Sequence, residues 1–596
     1  MKKYSFRVFL LLLMLWLVAC ENGNNESNVN LPPLRNTDLP MPHVTPTFVP
    51  LRADFSVRAE DVDWANVDHM YAAMRPEYAS DVDQFVNTQR YYIRAKIEFL
   101  TEYAVIQGSQ AVRYVNNTGV TLDEIVFRLT ANIENLGSHQ RVENVYLNGQ
   151  PVEPYYEARN TVMVIPVEGG LAPGAIADMS MDFIMVSERG VLPGRIGFAS
   201  NQYQAVNWMP VLSVYDGPEE GWWRERLHGV SWDPYYNHPS LWEIELTYPA
   251  NALMAISGIT IERTENDDNT ITERIVTGPM RDNFLMVSTN MGKISDSVDG
   301  TQINVYYMPQ GERGAAWVLE SAIRSLEIFN RLWGDYPYVE LDVAQTETNA
   351  GGIEYSGIIL VDRNVWQAGS PSTELVTAHE VAHQWWYGLV GNNQAKYPFL
   401  DESLASWSEA IYYREAYDDN NERFNNLVNG DRNALASFKF AFSGDTRMYR
   451  PSNEFGSSTA LAVLIYTQGT VFYADLEKQL LTPAGRIGLN GNQPLSFPDT
   501  TLLPTRTTVV QRTYTNRQQQ YDLSQADLMN MALSDYFHRM KYRMTSPVEI
   551  LRSFEKVTGQ DLDAFFYSYL GEFPGMDPSV LTSTNTSVTS SSFVGG

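Results

Sequence analysis

Cysteine is almost absent from this chain. Cys20 is the only one in 596 residues, which excludes an intramolecular disulfide and any cysteine nucleophile in the body of the protein. Cationic side chains are short as well. Lys and Arg number 43 against 71 Asp and Glu, a formal charge of −28. The basic clusters that bind nucleic-acid phosphates are therefore missing, and a nucleic-acid partner is excluded. No stretch approaches the roughly eighteen consecutive apolar residues of a membrane-spanning helix. Histidine is scarce too, with eight in the chain, so the place of any two of them is informative.

Two fall in His379-Glu380-Val381-Ala382-His383. Histidines at i and i+4 share one face of a helix and can grip one metal ion, and the intervening glutamate can act as general base on a water held there. The flanks read as that helix: Ser370 is a candidate N-cap, Pro371 suits the first turn, Glu374 complements the dipole, and Leu375, Val376, Ala378, Val381 and Ala382 are apolar. Glu402, nineteen residues after His383, opens a second helical segment, Asp401-Glu402-Ser403-Leu404-Ala405. His379, His383 and Glu402 are thus candidate ligands of one Zn2+ per chain, with Glu380 as the base and a fourth position left open. The metzincin pattern fails, because it needs Gly and His where Trp386 and Leu389 stand. Glu409, two turns beyond Glu402, is either a carboxylate that orients a zinc histidine or an ordinary structural glutamate.

What the chain has in quantity is core material: 44% hydrophobic and 12% aromatic residues, enough for two to four domains. From about Tyr91 to Tyr307 the pattern is β, with period-two alternation in Tyr91–Leu100, Glu124–Leu129 and Trp242–Pro249 broken by Asn/Gly turns. Beyond Tyr307, Ala315–Leu332 has helical spacing, Val339–Ala344 and Ile358–Val361 read as short strands, and from Ser370 nearly everything is helical. The ends differ from the body. Lys2, Lys3 and Arg7 precede an apolar run of twelve, Val8–Ala19, too short to span a bilayer, and Leu17-Val18-Ala19-Cys20 reads as a lipobox with Cys20 as the lipidation site. The plainer alternative is an unlipidated signal peptide or anchor. The expected organisation is a lipoprotein signal (1–20), an Asn/Pro/Thr-rich disordered tether (21–55), a β-rich domain (56–307), a catalytic domain (308–575) and a disordered tail (576–596).

Four further segments resemble one family, the aminopeptidase N and leukotriene hydrolase family of gluzincin metallopeptidases. Gly351-Gly352-Ile353-Glu354-Tyr355 is similar to its G-x-M-E-N exopeptidase motif, and Trp333-Gly334-Asp335-Tyr336-Pro337-Tyr338 to the segment before it. Asp401–Ala405 resembles N-E-G-x-A, and Tyr466-Thr467-Gln468-Gly469 resembles Y-x-K-G, 83 residues after His383. The resemblance covers roughly residues 85–572 and is looser in the amino-terminal part.

It implies an α+β multidomain fold: a saddle-like amino-terminal β domain, then a thermolysin-like, mainly helical peptidase domain. It also implies roles. Tyr466 would stabilise the oxyanion, and Glu354 would pair with the free α-ammonium of a peptide, with Gly351 and Gly352 letting the backbone approach the substrate. Taken without the resemblance, Tyr466 is one tyrosine of 34 and the two glycines are a turn. The chain departs from the family at Ile353, Tyr355 and Gln468, and the segment around Gln202 and Gln204 offers no acid to hold the substrate amine. The expected partners are peptides with free N-termini and a membrane reached through a lipid anchor on its outer face. The oligomeric state is left open. An endopeptidase, or a non-catalytic binding protein on a peptidase scaffold, are the alternatives.

Overall fold

The computed structural model describes residues 55–190, 194–199, 201–226, 233–348, 350–481, 511–512, 520–521 and 523–577. Cys20 and the rest of the expected signal segment lie outside the described residues. So do all but the last residue of the expected tether and all but the first two of the tail.

Period-two alternation builds the first part. Strand Arg90–Phe99 turns Tyr91, Ile93, Ala95 and Ile97 into the core. It pairs antiparallel with Tyr103–Val115 and parallel with Leu241–Pro249, at the centre of an eight-stranded sheet. Two four-stranded sheets accompany it. One joins Leu253–Ile256, Phe284–Ser288, Gln202–Val206 and Ile196–Ala199, and the other joins Val211–Leu212, Leu122–Arg128, Val162–Leu171 and Tyr155–Glu157.

A five-stranded sheet follows, in the order Gly292–Val298, Thr301–Tyr307, Glu340–Thr346, Ile358–Asp362, Gly352–Tyr355. Its inner strand Ile358–Asp362 is buried at every position, as a strand covered on both faces must be. The boundary expected at residue 307 does not coincide with a sheet boundary. Thr301–Tyr307 runs parallel to Glu340–Thr346 and brings Gly292–Val298 with it, so this sheet starts at Gly292. Alternation marks a strand's buried face but not the sheet it joins.

The helices lie around this sheet. Glu312–Trp333 packs against the helix Pro371–Ala382, which in turn packs against Phe399–Ala416. Ser370 caps the middle one, its side chain accepting from the Ser372 N–H at 3.2 Å, with Pro371 in the first turn. Trp333, Trp385, Trp386 and Trp407 are fully buried among these helices. Trp385 donates to the Gly334 carbonyl at 2.8 Å and Trp386 to Ser408 Oγ at 3.2 Å. One continuous apolar core reaches from Val67 to Phe573. Among the described residues no helix is long and apolar enough to cross a membrane.

Arg281 ties the two parts together. It is 1% exposed, and its guanidinium donates to the carbonyls of Tyr387, Gly388 and Leu389, of Asn237, and of Arg543, at 2.9–3.2 Å. Gly391 is glycine because a Cβ there would overlap this guanidinium. Burial lowers the Arg281 pKa to about 10, so the group stays charged at neutral pH. Arg281→Met would strand several buried carbonyls, each costing about 1–3 kcal/mol. Destabilisation of at least about 3 kcal/mol is expected, read as a shift in the denaturant midpoint. A shift worth less than about 1 kcal/mol would mean that water replaces the guanidinium there.

Candidate active site

Most of the site residues singled out in the sequence line one cavity of about 150 Å³: His379, Glu380, Glu402, Glu409, Glu354, Gly351, Gly352 and Tyr466. His379 and His383 project from the end of the capped helix. Just beyond it the chain widens into a π turn over Gln384–Leu389. Glu402 sits in the first turn of Phe399–Ala416.

Three atoms converge. His379 Nε2 lies 3.1 Å from Glu402 Oε2, His383 Nε2 lies 3.3 Å from the same oxygen, and the two Nε2 atoms are 3.2 Å apart. Bonds of about 2.1 Å to a tetrahedral ion would place ligand atoms about 3.4 Å apart, so the triangle has the size a zinc ion requires. Its electrostatics agree. Burial works against charge on either imidazole, yet Glu402 and Glu409 push His379 up to about 9, and Glu354 and Glu402 push His383 up as well. Against its own burial, Glu402 is held well below the usual carboxylate range by the two rings. The donor set calls for a cation at its centre. The remaining ring nitrogens are fixed from behind: His379 Nδ1 faces Glu409 Oε1 at 2.9 Å, and His383 Nδ1 faces the Trp386 carbonyl at 3.2 Å. Glu409 therefore stands where a carboxylate orients a ligand imidazole.

Glu380 is buried beside the triangle. Burial, opposed by the two histidines, raises its carboxyl to about 7. A Cβ at Gly352 would overlap the Glu380 carboxylate, so Gly352 makes room for this side chain. Gly351 has φ +89° with open space around it, a conformation that favours glycine. Tyr466 lies in a second π turn, Val463–Thr467. Its hydroxyl donates to Glu402 Oε1 at 2.7 Å, and its ring stacks on His379 with centroids 5.9 Å apart. Gly469, in the helix Gln468–Gln479 that follows, lets it close on Phe399–Ala416, since a Cβ there would come 2.6 Å from Ser403.

Glu354 sits on the edge strand Gly352–Tyr355, 3% exposed. Burial pushes its carboxyl well above the usual range; His383 opposes this, and Asp233, Glu402 and Glu380 add to it. The strand is locked to the metal segment by Gln384, whose amide donates to the Tyr355 carbonyl at 3.0 Å and accepts from the Gly357 N–H at 2.9 Å.

The three departures from the family pattern do not crowd the cavity. Ile353 lines it. Tyr355, next to Glu354 on a strand, points the other way; it is fully buried and stacks on Phe284 at 4.6 Å. Gln468 donates to the Thr446 carbonyl at 2.8 Å. Gln202 and Gln204 form a buried cluster with Thr346. The amino-terminal part lines the cavity with Arg195 and Asp233 instead, an ion pair of a buried arginine and a half-buried aspartate. Neither carried a signal in the sequence, nor did Gln394, because each reaches the site from a segment without a motif; Gln384, next to His383, was passed over.

Comparison with known proteins agrees with this geometry. Residues 317–483 match the peptidase family M1 domain. Aminopeptidase N of Acetobacter pasteurianus is 27% identical over 192 residues, 29% of this chain and 54% of that protein. Aminopeptidase N of Mus musculus is 25% identical over 333 residues, 52% of this chain and 33% of the relative. The chain thus spans about half, or less, of the length of these curated relatives. The M1 zinc metallopeptidase from Deinococcus radiodurans shares the fold: TM-score 0.52 at 16% identity, over 82% of this chain and 95% of that one. The matched M1 domain segment holds every residue of the metal triangle, the β-rich and helical parts are arranged as in that two-part fold, and over the matched stretches the chain is similar to aminopeptidase N.

Proposed function

We propose that this protein is a zinc aminopeptidase that removes N-terminal residues from extracellular peptides. The observation that carries the reading is Glu354. It is a buried carboxylate with a raised pKa and no basic side chain paired with it among the described residues, in the same cavity as the metal triangle and Glu380. A carboxylate in that state is completed by a cation, and a peptide's α-ammonium supplies one at a fixed distance from the first peptide carbonyl.

His379, His383 and Glu402 would hold the zinc, which supplies Lewis acidity to a carbonyl oxygen and to a water molecule. Glu380 takes the proton from that water and passes it to the departing amine. Tyr466 donates its phenolic hydrogen to the carbonyl oxygen as charge builds there. Glu354 holds the amine and so selects the first peptide bond.

Glu354→Ala tests the reading. Removing one partner of a desolvated charge pair costs about 2–5 kcal/mol, so kcat/KM on free-amine peptides should fall at least about thirtyfold. N-acetylated peptides, if cleaved, should be affected far less, and zinc content should not change. Equal losses on free and blocked peptides would instead favour an endopeptidase.

The site of action is proposed from the amino-terminal sequence: export through the Lys2–Ala19 segment and attachment of lipid at Cys20, placing the enzyme on the outer face of a bacterial membrane. Cys20→Ser should release the protein or leave its signal uncleaved. Membrane retention with a cleaved signal would point to another anchor.

A further inference from the structure

We infer that Gln394 is the residue that fixes the Glu354 carboxylate and thereby sets the distance between a bound peptide amine and the metal ligands. The inference rests on the reading of Glu354 given above. Gln394 is 1% exposed and lies in the connection between the π turn after His383 and the helix that carries Glu402. Its Nε2 donates to Glu354 Oε1. One ligand atom each of Glu354, His383 and Asp401 lies within 4.8 Å of the others, and the Gln394 amide also stands beside Asp401. A single neutral side chain therefore meets two buried carboxylates, one on the exopeptidase strand and one next to a metal ligand.

Its backbone is held as firmly. The Gln394 N–H donates to the Tyr235 carbonyl at 3.2 Å. That carbonyl belongs to the amino-terminal segment whose Asp233 pairs with Arg195 at the cavity wall. The amide is turned with its donor end on Glu354, whose oxygen accepts from Nε2. With Nε2 on Glu354, Gln394 Oε1 is left buried without a partner, as is Asp401 Oδ2.

The residue type follows from what the position must do. A Lys or Arg would neutralise Glu354 and compete with the incoming ammonium. An acid would add repulsion, and an apolar side chain would leave a buried carboxylate without a donor. A carboxamide orients one oxygen, leaves the charge uncancelled, and leaves the other oxygen for a ligand. Gln394 is a positioning residue: it acts on the amine through Glu354.

The test uses the full-length zinc-loaded enzyme, an unblocked tetrapeptide and its N-acetylated form. Gln394→Met keeps length and shape and removes the donor. It should lower kcat/KM on the unblocked peptide about tenfold or more, with zinc content kept and far less change on the acetylated one. Mass spectrometry should find part of the cleavage moved from the first peptide bond to the second. In a Glu354→Ala background the same substitution should have almost no further effect, because its target is gone.

Equal losses on both peptides, or losses that add to those of Glu354→Ala, would overturn the inference. If the Met variant loses zinc, Gln394→Asn, which keeps the amide but falls one methylene short, is measured for the same outcomes. Loss of zinc in both would make Gln394 a structural part of the metal centre and also overturn it. The two readings separate cleanly. A Glu354→Ala enzyme without amine-selective loss removes the aminopeptidase assignment. Selective loss at Glu354 with none at Gln394 removes only the present one.

Discussion

Glu380→Gln should leave zinc bound and the fold intact while slowing turnover by roughly 10²–10⁴, the usual contribution of a positioned general base. The substitution keeps the side chain's shape, which matters because Glu380 is pressed against the backbone at Gly352. It removes no ligand, since the metal triangle is made by His379, His383 and Glu402. It takes away a carboxyl beside that triangle that burial raises to about 7. Activity within a few-fold of the parent, at equal zinc content, would remove Glu380 from the mechanism.

Tyr466→Phe should lower kcat by roughly 10²–10³ with little change in KM, as expected for a hydrogen bond made chiefly in the transition state. Burial raises the Tyr466 pKa well above its ordinary value, and Glu402 raises it further. The group is therefore a protonated donor at any working pH. In the resting site that hydrogen is given to Glu402 Oε1, on the same carboxylate whose other oxygen completes the metal triangle. The phenol is thus already held at the metal centre. A loss confined to KM would mark Tyr466 as a binding or structural residue. Zinc analysis of the variant separates either outcome from a weakened ligand.

The sequence announced those parts of the site that are local. Ser370, Pro371 and the spacing of His379 and His383 are helix grammar, and the helix stands over Pro371–Ala382. The strand around Tyr91 was legible because it buries one face, and the one around Trp242 alternates over its second half. Other features were silent for physical reasons. Arg195 and Asp233 meet across 38 positions, and Gln394 meets Glu354 across 40. Both pairings depend on which loops the sheets bring together, and no periodicity encodes that. Tyr355 and Gln468 looked like disturbances of the site because they depart from a motif. The pleat sends Tyr355 into the core beside Phe284, and Gln468 turns to Thr446. The sequence beyond Ser370 read as nearly all helix, yet the stretch from Ala460 to Leu480 contains a change of winding that a 3.6-residue period cannot represent.

That change of winding has a consequence for how the chain can vary. A π turn carries one residue more than the α-helix around it, and such turns gather at functional positions. The extra residue is absorbed without displacing either flank, so the cores before and after Val463–Thr467 keep their places while Tyr466 is aimed at the metal ligands. The phenol therefore stands one deletion away from a regular helix. Loss of a neighbour such as Ile465 would restore an unbroken ladder and turn the side chain about 100° around the helix axis, away from Glu402. For a protein of this architecture one route from enzyme to inert scaffold is an indel. It would spare the metal ligands, and a comparison of site residues alone would not register it.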